Sequence, residues 1–175
     1  MQQIWTPSSP YKFESGKNKG KFAEMLMFSN PGLLKFMLNK LNEKNYITKN
    51  KLHIHLEWLL ARGEDRIHNK QCRICRKEYA KYFSVRYSSY RSVPSFGTEY
   101  IFCRKCKDTY RNLEGRVRFF EFKWSLLEEV SSNKFDQREL VKFYREIFDI
   151  PTRLSAKLAF AFFSAKTQTP YDIYI

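Results

Sequence analysis

The sequence predicts an α+β fold in which a small zinc-stapled domain lies between helical N- and C-terminal parts. All four cysteines fall into two pairs, Cys72-x-x-Cys75 and Cys103-x-x-Cys106, and 27 residues separate the pairs. The stretches between the pairs are rich in Tyr, Phe and Val, which predicts short strands. Apolar side chains at helical spacing precede and follow this region, and they predict helices on both sides.

The cysteine spacing predicts a closed, structural Zn²⁺ site formed by Cys72, Cys75, Cys103 and Cys106. Two residues between paired cysteines allow both thiolates to reach one small cation from a tight turn. Zn²⁺ takes four thiolates tetrahedrally, at distances of about 2.3 Å. The alternatives are two disulfides or four unrelated thiols. Disulfides are disfavoured because Met1–Trp5 does not read as a signal peptide and because the spacing is metal-like.

The composition predicts a folded protein of the cytoplasm with no membrane partner. Hydrophobic residues make up 43% of the 175 residues, which is enough for a modest core. The apolar runs fall well short of the roughly 20 residues that a bilayer-spanning helix needs. We therefore expect an intracellular location.

Positive charge is concentrated in the middle of the chain. The formal net charge of +14 divides into +5 for residues 1–61, +9 for residues 62–118 and zero for residues 119–175, which are the three predicted domains. Every Arg before position 119 lies in the second of them. Because Arg binds phosphate bidentately and stacks on bases, this concentration predicts an anionic polymer as the partner. The alternative is a solvated basic surface that aids solubility.

The first predicted domain opens with a basic turn. Tyr11–Phe13 alternates like a short strand, and the following segment carries Gly16 and Gly20, which permit positive φ. Three lysines accompany the glycines and, together with the exposed backbone amides of the turn, could bind phosphate: Lys17, Lys19 and Lys21.

Helices are predicted after the turn. They cover Phe22–Phe28, a segment that starts from an N-cap at Asn30 with Pro31 at the first helical position, and Leu52–Ala61 with Gly63 as its stop signal.

This order of elements resembles the small C-terminal module of exodeoxyribonuclease X, which also occurs as a stand-alone accessory domain. The likeness covers about 30 residues, the basic turn and the helix that begins Pro31-Gly32-Leu33-Leu34. The chain departs from the family pattern at Leu33, where an aromatic residue is usual, and at Phe36, which replaces Trp. The resemblance implies a module that helps to hold nucleic acid and that has no activity of its own.

The three histidines are predicted to have no metal-binding role. His53 and His55 lie two positions apart on a predicted helix and face different sides, so each is expected at the surface or half-buried. His68 lies four residues before Cys72, but four cysteines already satisfy zinc.

In the second predicted domain, a knuckle formed by the first cysteine pair is followed by a hairpin and then by the second cysteine pair at the start of a helix. Strands are expected within 79–90 and 99–102, a turn over 92–97, and a helix over 107–113. This order resembles a treble-clef zinc finger, and the alternative is a zinc ribbon. Arg76 follows the first pair where rubredoxin-like knuckles usually carry Gly. Treble-clef nucleases of the His-Asn-His type need a catalytic His, and this sequence has none after position 68, so catalysis is not expected.

Basic and aromatic residues interleave around the cysteines. On a strand, side chains alternate between two faces, so that one face can bury aromatic residues while the other exposes Arg and Tyr. The exposed face would carry Tyr82, Ser84, Arg86 and Ser88, and the other face Phe83, Val85, Tyr87 and Ser89. The residues expected to contact phosphates or to stack on bases are Arg73, Arg76, Lys77, Lys81, Arg86, Tyr87, Tyr90, Arg91, Arg104, Lys105, Lys107 and Arg111. Some of those beside the cysteines could instead only offset the charge of the zinc centre.

The third predicted domain is helical and aromatic. A helix capped by Asp136 is expected to run to Phe148, and a second one to run from Pro151 to Lys166. A helix-turn-helix reader, displaying Thr152, Arg153, Ser155 and Lys157, is a minor alternative to simple packing. The second helix carries more aromatic side chains than one face can bury: Phe160, Phe162 and Phe163. They predict docking of another protein subunit.

Together these patterns predict a non-catalytic, zinc-containing nucleic-acid-binding protein, with DNA favoured over RNA. Size, charge and the cysteine quartet also loosely resemble the zinc-containing subunit of a type IV CRISPR complex, which implies an accessory factor of a nucleoprotein or nuclease assembly. One alternative is an interaction protein or inhibitor that binds an acidic protein surface. The other is a nuclease, although the sequence lacks a clustered carboxylate motif for Mg²⁺ in residues 1–118.

Overall fold

The structure is a computed structural model that describes residues 7–43, 50–66, 68–87, 94–95, 101–111, 117–124 and 134–165. Its helices are α1 (Ala23–Met27), α2 (Pro31–Glu43), α3 (Lys51–Glu64), α4 (Arg104–Arg111), α5 (Lys134–Ile147) and α6 (Ala156–Ser164). Its strands are β1 (Tyr82–Tyr87), β2 (Pro94–Ser95), β3 (Ile101–Phe102) and β4 (Val117–Glu121). Helices combined with a small antiparallel sheet confirm the predicted α+β class.

Strand β1 is the centre of the sheet. It pairs with β4 over five positions, from Tyr82 opposite Glu121 to Arg86 opposite Val117. Its other edge is shared by β3, which pairs with Tyr82 and Phe83, and by β2, which pairs with Arg86 and Tyr87. All these pairings are antiparallel. Strand β2 falls inside the segment predicted as a turn, and β4 was not predicted, so both are corrections.

Buried aromatic side chains form the core where the sheet meets the helices. Trp124, Phe83, Tyr144, Phe148 and Phe163 are all almost fully buried. The cluster also includes residues of α1, α2 and α3, so all three predicted domains contribute to it. Strand β4 crosses the boundary that the charge pattern placed between residues 118 and 119.

The Tyr144 hydroxyl ties this core to the end of β4. It accepts a hydrogen bond from the Lys123 amide at 3.2 Å and can donate to the Lys123 carbonyl at 3.1 Å. Burial raises the pKa of Tyr144 well above its usual range, which keeps the hydroxyl protonated as this pairing requires.

The N-terminal elements begin as the sequence predicts. Gly16 and Gly20 adopt positive φ within a turn, which closes with an antiparallel bridge between Lys12 and Phe22. The Asn30 side chain accepts from the Leu33 amide at 3.2 Å, which confirms it as the cap of α2. Helix α3 is capped in the same way by Asn50, which accepts from the His53 amide at 2.8 Å.

Gly63 does not act as a stop signal, because α3 continues through it to Glu64. A Cβ atom at position 63 would lie 2.9 Å from Met27 Cε and 3.2 Å from Trp124 Cβ. Gly63 is therefore required for close packing of α3 against α1 and the core.

The C-terminal helices start at other residues than predicted. Helix α5 begins at Lys134, so Asp136 lies inside it, and α6 begins at Ala156 after an N-cap at Ser155. Arg145 bonds to the carbonyls of Pro151 and Thr152 and so holds the connection between the helices in a non-helical form. The prediction of a helix that starts at Pro151 is therefore wrong.

The aromatic side chains of α6 pack against other parts of the chain. Phe162 and Phe163 are 6% and 0% exposed and pack against Phe28, with ring centroids 5.6 and 5.2 Å away. Phe160 packs on Trp58 at 5.5 Å. The chain itself therefore covers Phe162 and Phe163, Phe160 stays half-buried, and docking of another protein subunit on these rings remains a prediction.

Among the described helices, none combines the length and apolar character needed to cross a membrane.

Candidate metal centre

The four cysteines converge on one point. Their sulfur atoms all lie within 4.8 Å of one another, and the Cys75 and Cys103 sulfurs are 3.9 Å apart. Four sulfurs placed tetrahedrally around a cation at about 2.3 Å would be separated by about 3.8 Å. A disulfide needs about 2.05 Å, and all four cysteines are free thiols. The residues predicted as metal ligands therefore could hold a metal ion.

Backbone hydrogen bonds shape the first cysteine pair and anchor it to the sheet. The Cys72 amide donates to the Glu78 carbonyl at 2.7 Å, and the Arg76 amide donates to the Cys72 carbonyl at 2.8 Å. The Arg73 amide donates to the Ile101 carbonyl at 3.0 Å, which joins this loop to β3.

The second pair spans the junction of a strand and a helix. Cys103 directly follows β3, and Cys106 lies in the first turn of α4. The Cys106 amide donates to the Cys103 sulfur at 3.5 Å. The two pairs are thus held by different elements and are brought together only by the tertiary fold.

Arg76 adopts a left-handed conformation, with φ of 53°. This is the position at which the sequence lacks the expected Gly. The loop therefore takes a turn that favours Gly while carrying a side chain, at a cost of about 1–2 kcal/mol.

The electrostatics of the thiols are unequal. Hydrogen bonds from the backbone amides of Lys77 and Glu78 lower the pKa of Cys75 to about 6. Burial and the neighbouring thiols raise the pKa of Cys106 to about 12, and burial also raises that of Cys103. The Cys75 sulfur is thus prepared as a thiolate, whereas Cys103 and Cys106 resist ionising. A bound cation would remove that resistance, because it favours the charged form of every ligand.

Exposed basic side chains surround the cysteines. Five of the predicted phosphate-binding residues beside the two pairs are exposed: Arg73, Arg76, Lys77, Arg104 and Lys105. Lys81 is exposed on the approach to β1. Lys107 is half-buried, with its Nζ 4.2 Å from the centroid of the Tyr82 ring and 3.3 Å from Asp108 Oδ1, so it is already engaged.

The strand face predicted to be exposed differs from the structure. Phe83 and Val85 are buried as predicted, but Ser84 is also buried and Tyr82 is half-buried. The backbones of Arg86 and Tyr87 belong to β1, and that of Arg111 to α4, while their side chains lie outside the description. Tyr90 and Arg91 lie outside the described residues.

The glycine turn presents side chains more than amides. Lys17, Lys19 and Lys21 are exposed. The amide of Lys19 donates to Gly16, that of Gly20 to Phe13 and that of Lys21 to Asn18, at 2.8–3.0 Å. These three amides are therefore already hydrogen-bonded within the turn. The prediction that they bind phosphate is wrong.

Two histidines are buried, contrary to prediction: His53 is 4% and His55 2% exposed. The His55 Nε2 atom lies 2.6 Å from Oε1 of Glu24, a carboxylate with no exposed surface. The Tyr11 amide donates to both oxygens of Glu24, at 3.3 and 3.2 Å. Glu24 was not singled out from the sequence. Its position as an acidic residue within an otherwise apolar helix was the signal that could have indicated a buried role.

His68 has no place in the cysteine cluster. Its Nδ1 atom accepts from the Lys70 amide at 3.2 Å, and its ring packs edge-on against Phe122 with centroids 4.6 Å apart. Burial, followed by the charge of Lys70, lowers the pKa of His68 to about 4. The His68 ring is thus engaged with the Lys70 amide and the aromatic core.

Comparison with protein-family models, curated proteins and solved structures finds no match to this chain. The resemblances to the exodeoxyribonuclease X module and to a zinc finger therefore remain predictions.

An open groove lies beside the metal centre and includes residues that the sequence did not single out. Tyr79 and Lys123 line it together with Lys81 and Arg104. Tyr79 carried a sequence signal, since it lies within the Tyr-rich stretch after the first pair. Lys123 carried no such signal, because only the position of β4 in the fold brings it to the groove.

Proposed function

We propose that this chain is a zinc-stabilised protein that binds nucleic acid, with DNA favoured, and that it acts without catalysing a reaction. The observation that carries the proposal is a quartet of thiols at near-tetrahedral spacing within the segment of net charge +9. Zn²⁺ fits this donor set best among common cations, since soft thiolates in a closed tetrahedral shell select it and leave no open position for substrate. Its proposed role is therefore structural.

The order of the elements supports a treble clef over a zinc ribbon. The first pair lies in a loop, β1 and β3 follow, and the second pair opens α4. In a zinc ribbon the second pair would lie on another hairpin. A treble clef places the side chains at the start of its helix beside the knuckle, where Arg104 and Lys105 are exposed.

The exposed cations supply the proposed contacts with phosphate. Arg73, Arg76 and Lys77 lie on the loop of the first cysteine pair, and Arg104 and Lys105 lie in the first turn of α4, beside the second pair. A tetrathiolate zinc site carries a charge of about −2, so two of the five cations could be needed for compensation. The remaining ones, with the lysines of the glycine turn, would contact phosphates and make binding depend steeply on salt.

The experiment combines metal analysis with nucleic-acid binding at two salt concentrations. We expect one zinc per chain, and we expect affinity to fall about 10³–10⁵-fold between 50 and 200 mM salt if six to ten phosphates are contacted. Replacing Arg104 and Lys105 with Gln should weaken binding and reduce the salt dependence. The matched control is Lys142→Gln, which removes an exposed charge on α5.

Two results would contradict the proposal. A preparation that holds no metal and remains folded would exclude the structural zinc site. Zinc-loaded protein that binds no DNA or RNA at low salt would exclude the nucleic-acid function and favour an acidic protein partner. The predicted place in a larger nucleoprotein or CRISPR-type assembly would be tested by co-purification, and the neutral charge of residues 119–175 is its remaining support.

A further inference from the structure

A groove with a volume of about 560 Å³ runs along the segment between the first cysteine pair and β1. Ligand pockets generally measure about 300–1,000 Å³. Two hydrogen bonds fix its walls: the Lys81 amide donates to Phe102 at 2.8 Å, and the Phe122 amide donates to the Lys81 carbonyl at 3.2 Å. The start of α4 and the end of β4 are thereby held on opposite sides of Lys81.

Tyr79 offers this groove an aromatic surface. Its side chain is 63% exposed, while a bridge with Gln71 holds its backbone in place. A large ring that projects from a fixed backbone and is open to solvent at the edge of a groove is suited to stacking on a flat ligand.

The charges of the groove are mixed, and this decides which part of a nucleic acid fits it. Glu64 and Glu121 line it as well as Lys81 and Arg104. The Lys123 Nζ atom lies 2.9 Å from Glu121 Oε2, and this hydrogen bond lowers the pKa of Glu121, so its carboxylate stays ionised. A phosphate would be repelled by such a carboxylate. An uncharged base would not be, and its amino groups can donate to carboxylate oxygens.

Two further groups of the groove add no binding charge. Arg66 is nine-tenths buried, and both of its Nη atoms are bonded to carbonyls of α6 and its C-cap, at Phe162 and Ala165. His68 is neutral at physiological pH. The cations available to a ligand are therefore Lys81 and Arg104, which are both exposed.

We propose that this groove takes one base of a single-stranded nucleic acid, stacked on Tyr79 with its flanking phosphates at Lys81 and Arg104. This inference rests on the proposed nucleic-acid binding and adds the class of strand. In a duplex the faces of the bases are covered by their neighbours, so only an unpaired strand can present a face to Tyr79.

The test measures fluorescence anisotropy of the zinc-loaded full chain with four labelled probes of equal length. The probes are single-stranded DNA, single-stranded RNA of the same sequence, the DNA duplex, and an abasic strand that keeps every phosphate and lacks the bases. We expect the unaltered protein to bind either single strand more tightly than the duplex and more tightly than the abasic strand. The DNA and RNA arms identify the preferred sugar.

Variants at position 79 locate the stacking. Tyr79→Ala should weaken binding of the intact single strand about tenfold and leave binding of the abasic strand unchanged, while Tyr79→Phe should retain affinity because its ring still stacks. The matched control is Phe36→Ala, which removes an aromatic ring that is 57% exposed on α2, away from the groove.

The outcomes separate this inference from the function on which it rests. Equal binding of intact and abasic strands, binding of the duplex at least as tight as that of the single strand, or an equal loss on both strands in Tyr79→Ala would overturn base stacking and leave phosphate binding intact. Failure of all four probes to bind would overturn both. The abasic comparison uses unaltered protein, so it does not depend on the folding of a variant.

Discussion

The contact between Glu24 and His55 gives a direct test of the core, because the chain contains a matched exposed pair. The Glu24–His55 contact is 2.6 Å with side chains 0% and 2% exposed, and the Lys40–Glu43 contact is also 2.6 Å with side chains 53% and 62% exposed. Glu24→Ala leaves both His55 and the Tyr11 amide without their buried acceptor. Each such group costs about 1–3 kcal/mol, and loss of one partner of a buried pair costs about 3–5 kcal/mol in all.

Glu43→Ala removes a contact of the same length in solvent and should cost about 0–1 kcal/mol. Urea unfolding of the zinc-loaded protein, followed by the fluorescence of its tryptophans, measures both. With a slope near 2 kcal/mol/M, the midpoint should fall by about 1.5–2.5 M for Glu24→Ala and by less than about 0.5 M for Glu43→Ala. Glu24→Gln, which keeps an acceptor, should lie between them. Equal shifts for the buried and exposed variants would refute the reasoning, since the burial of Glu24 and its partners is what should make this contact the more costly one to lose.

Three other predictions concern the metal centre and its surroundings. Removal of the metal by a chelator should unfold the cysteine-bearing segment, because at such sites the free energy of metal binding contributes directly to folding. The circular dichroism signal of the sheet should be lost and should return when zinc is added. An unchanged spectrum would contradict this prediction. Arg76→Gly should stabilise the protein by about 0.5–1 kcal/mol, because Gly adopts the left-handed backbone of this position without strain. The same variant should reduce the slope of log affinity for nucleic acid against log salt concentration by about 0.9. A loss of stability would show that the backbone at Arg76 is not strained. Since the pKa of His68 falls to about 4 in the folded chain, the unfolded chain binds the extra proton between about pH 6.5 and pH 4, and stability should fall by up to about 3 kcal/mol as the pH drops through that window. The stability difference between the wild type and His68→Phe should therefore depend on pH there, and a constant difference would exclude His68 as the cause.

Local patterns predicted those features whose cause is local. The paired cysteines, the glycines of the basic turn and the Asn30 cap each depend on a few neighbouring residues. The apolar stripe of α5 was also readable, and Leu140, Phe143, Tyr144, Ile147 and Phe148 are all buried. Helical periodicity of this kind needs no knowledge of the partner that covers it.

The features that were missed depend on residues far apart in the chain. Glu24 and His55 are 31 positions apart, so neither sequence context shows that the other satisfies it. Gly63 resembles a helix stop, and only the approach of Met27 and Trp124 explains its lack of a side chain. Phe162 and Phe163 exceed one helix face only until Phe28 is placed beside them. In each case tertiary contact overrode the local interpretation.

A cation bound at the four cysteines would stabilise the sheet through β3. Strand β3 has two residues, so it contributes few ladder hydrogen bonds, yet it pairs with β1 at Phe83, one of the most buried side chains. Besides a hydrogen bond from the Lys81 amide to Phe102, two ties connect it to the cysteine loops: the Arg73 amide donates to Ile101, and Cys103 directly follows Phe102 in the chain. A cation that joins the two pairs would offset the entropy of closing the long intervening loop and would hold β3 against β1. Metal loss should therefore expose the amides around Phe83 to hydrogen exchange, whereas the amides of α2 and α3, which pack on each other, should stay protected. A uniform loss of protection would show instead that the whole core depends on the metal.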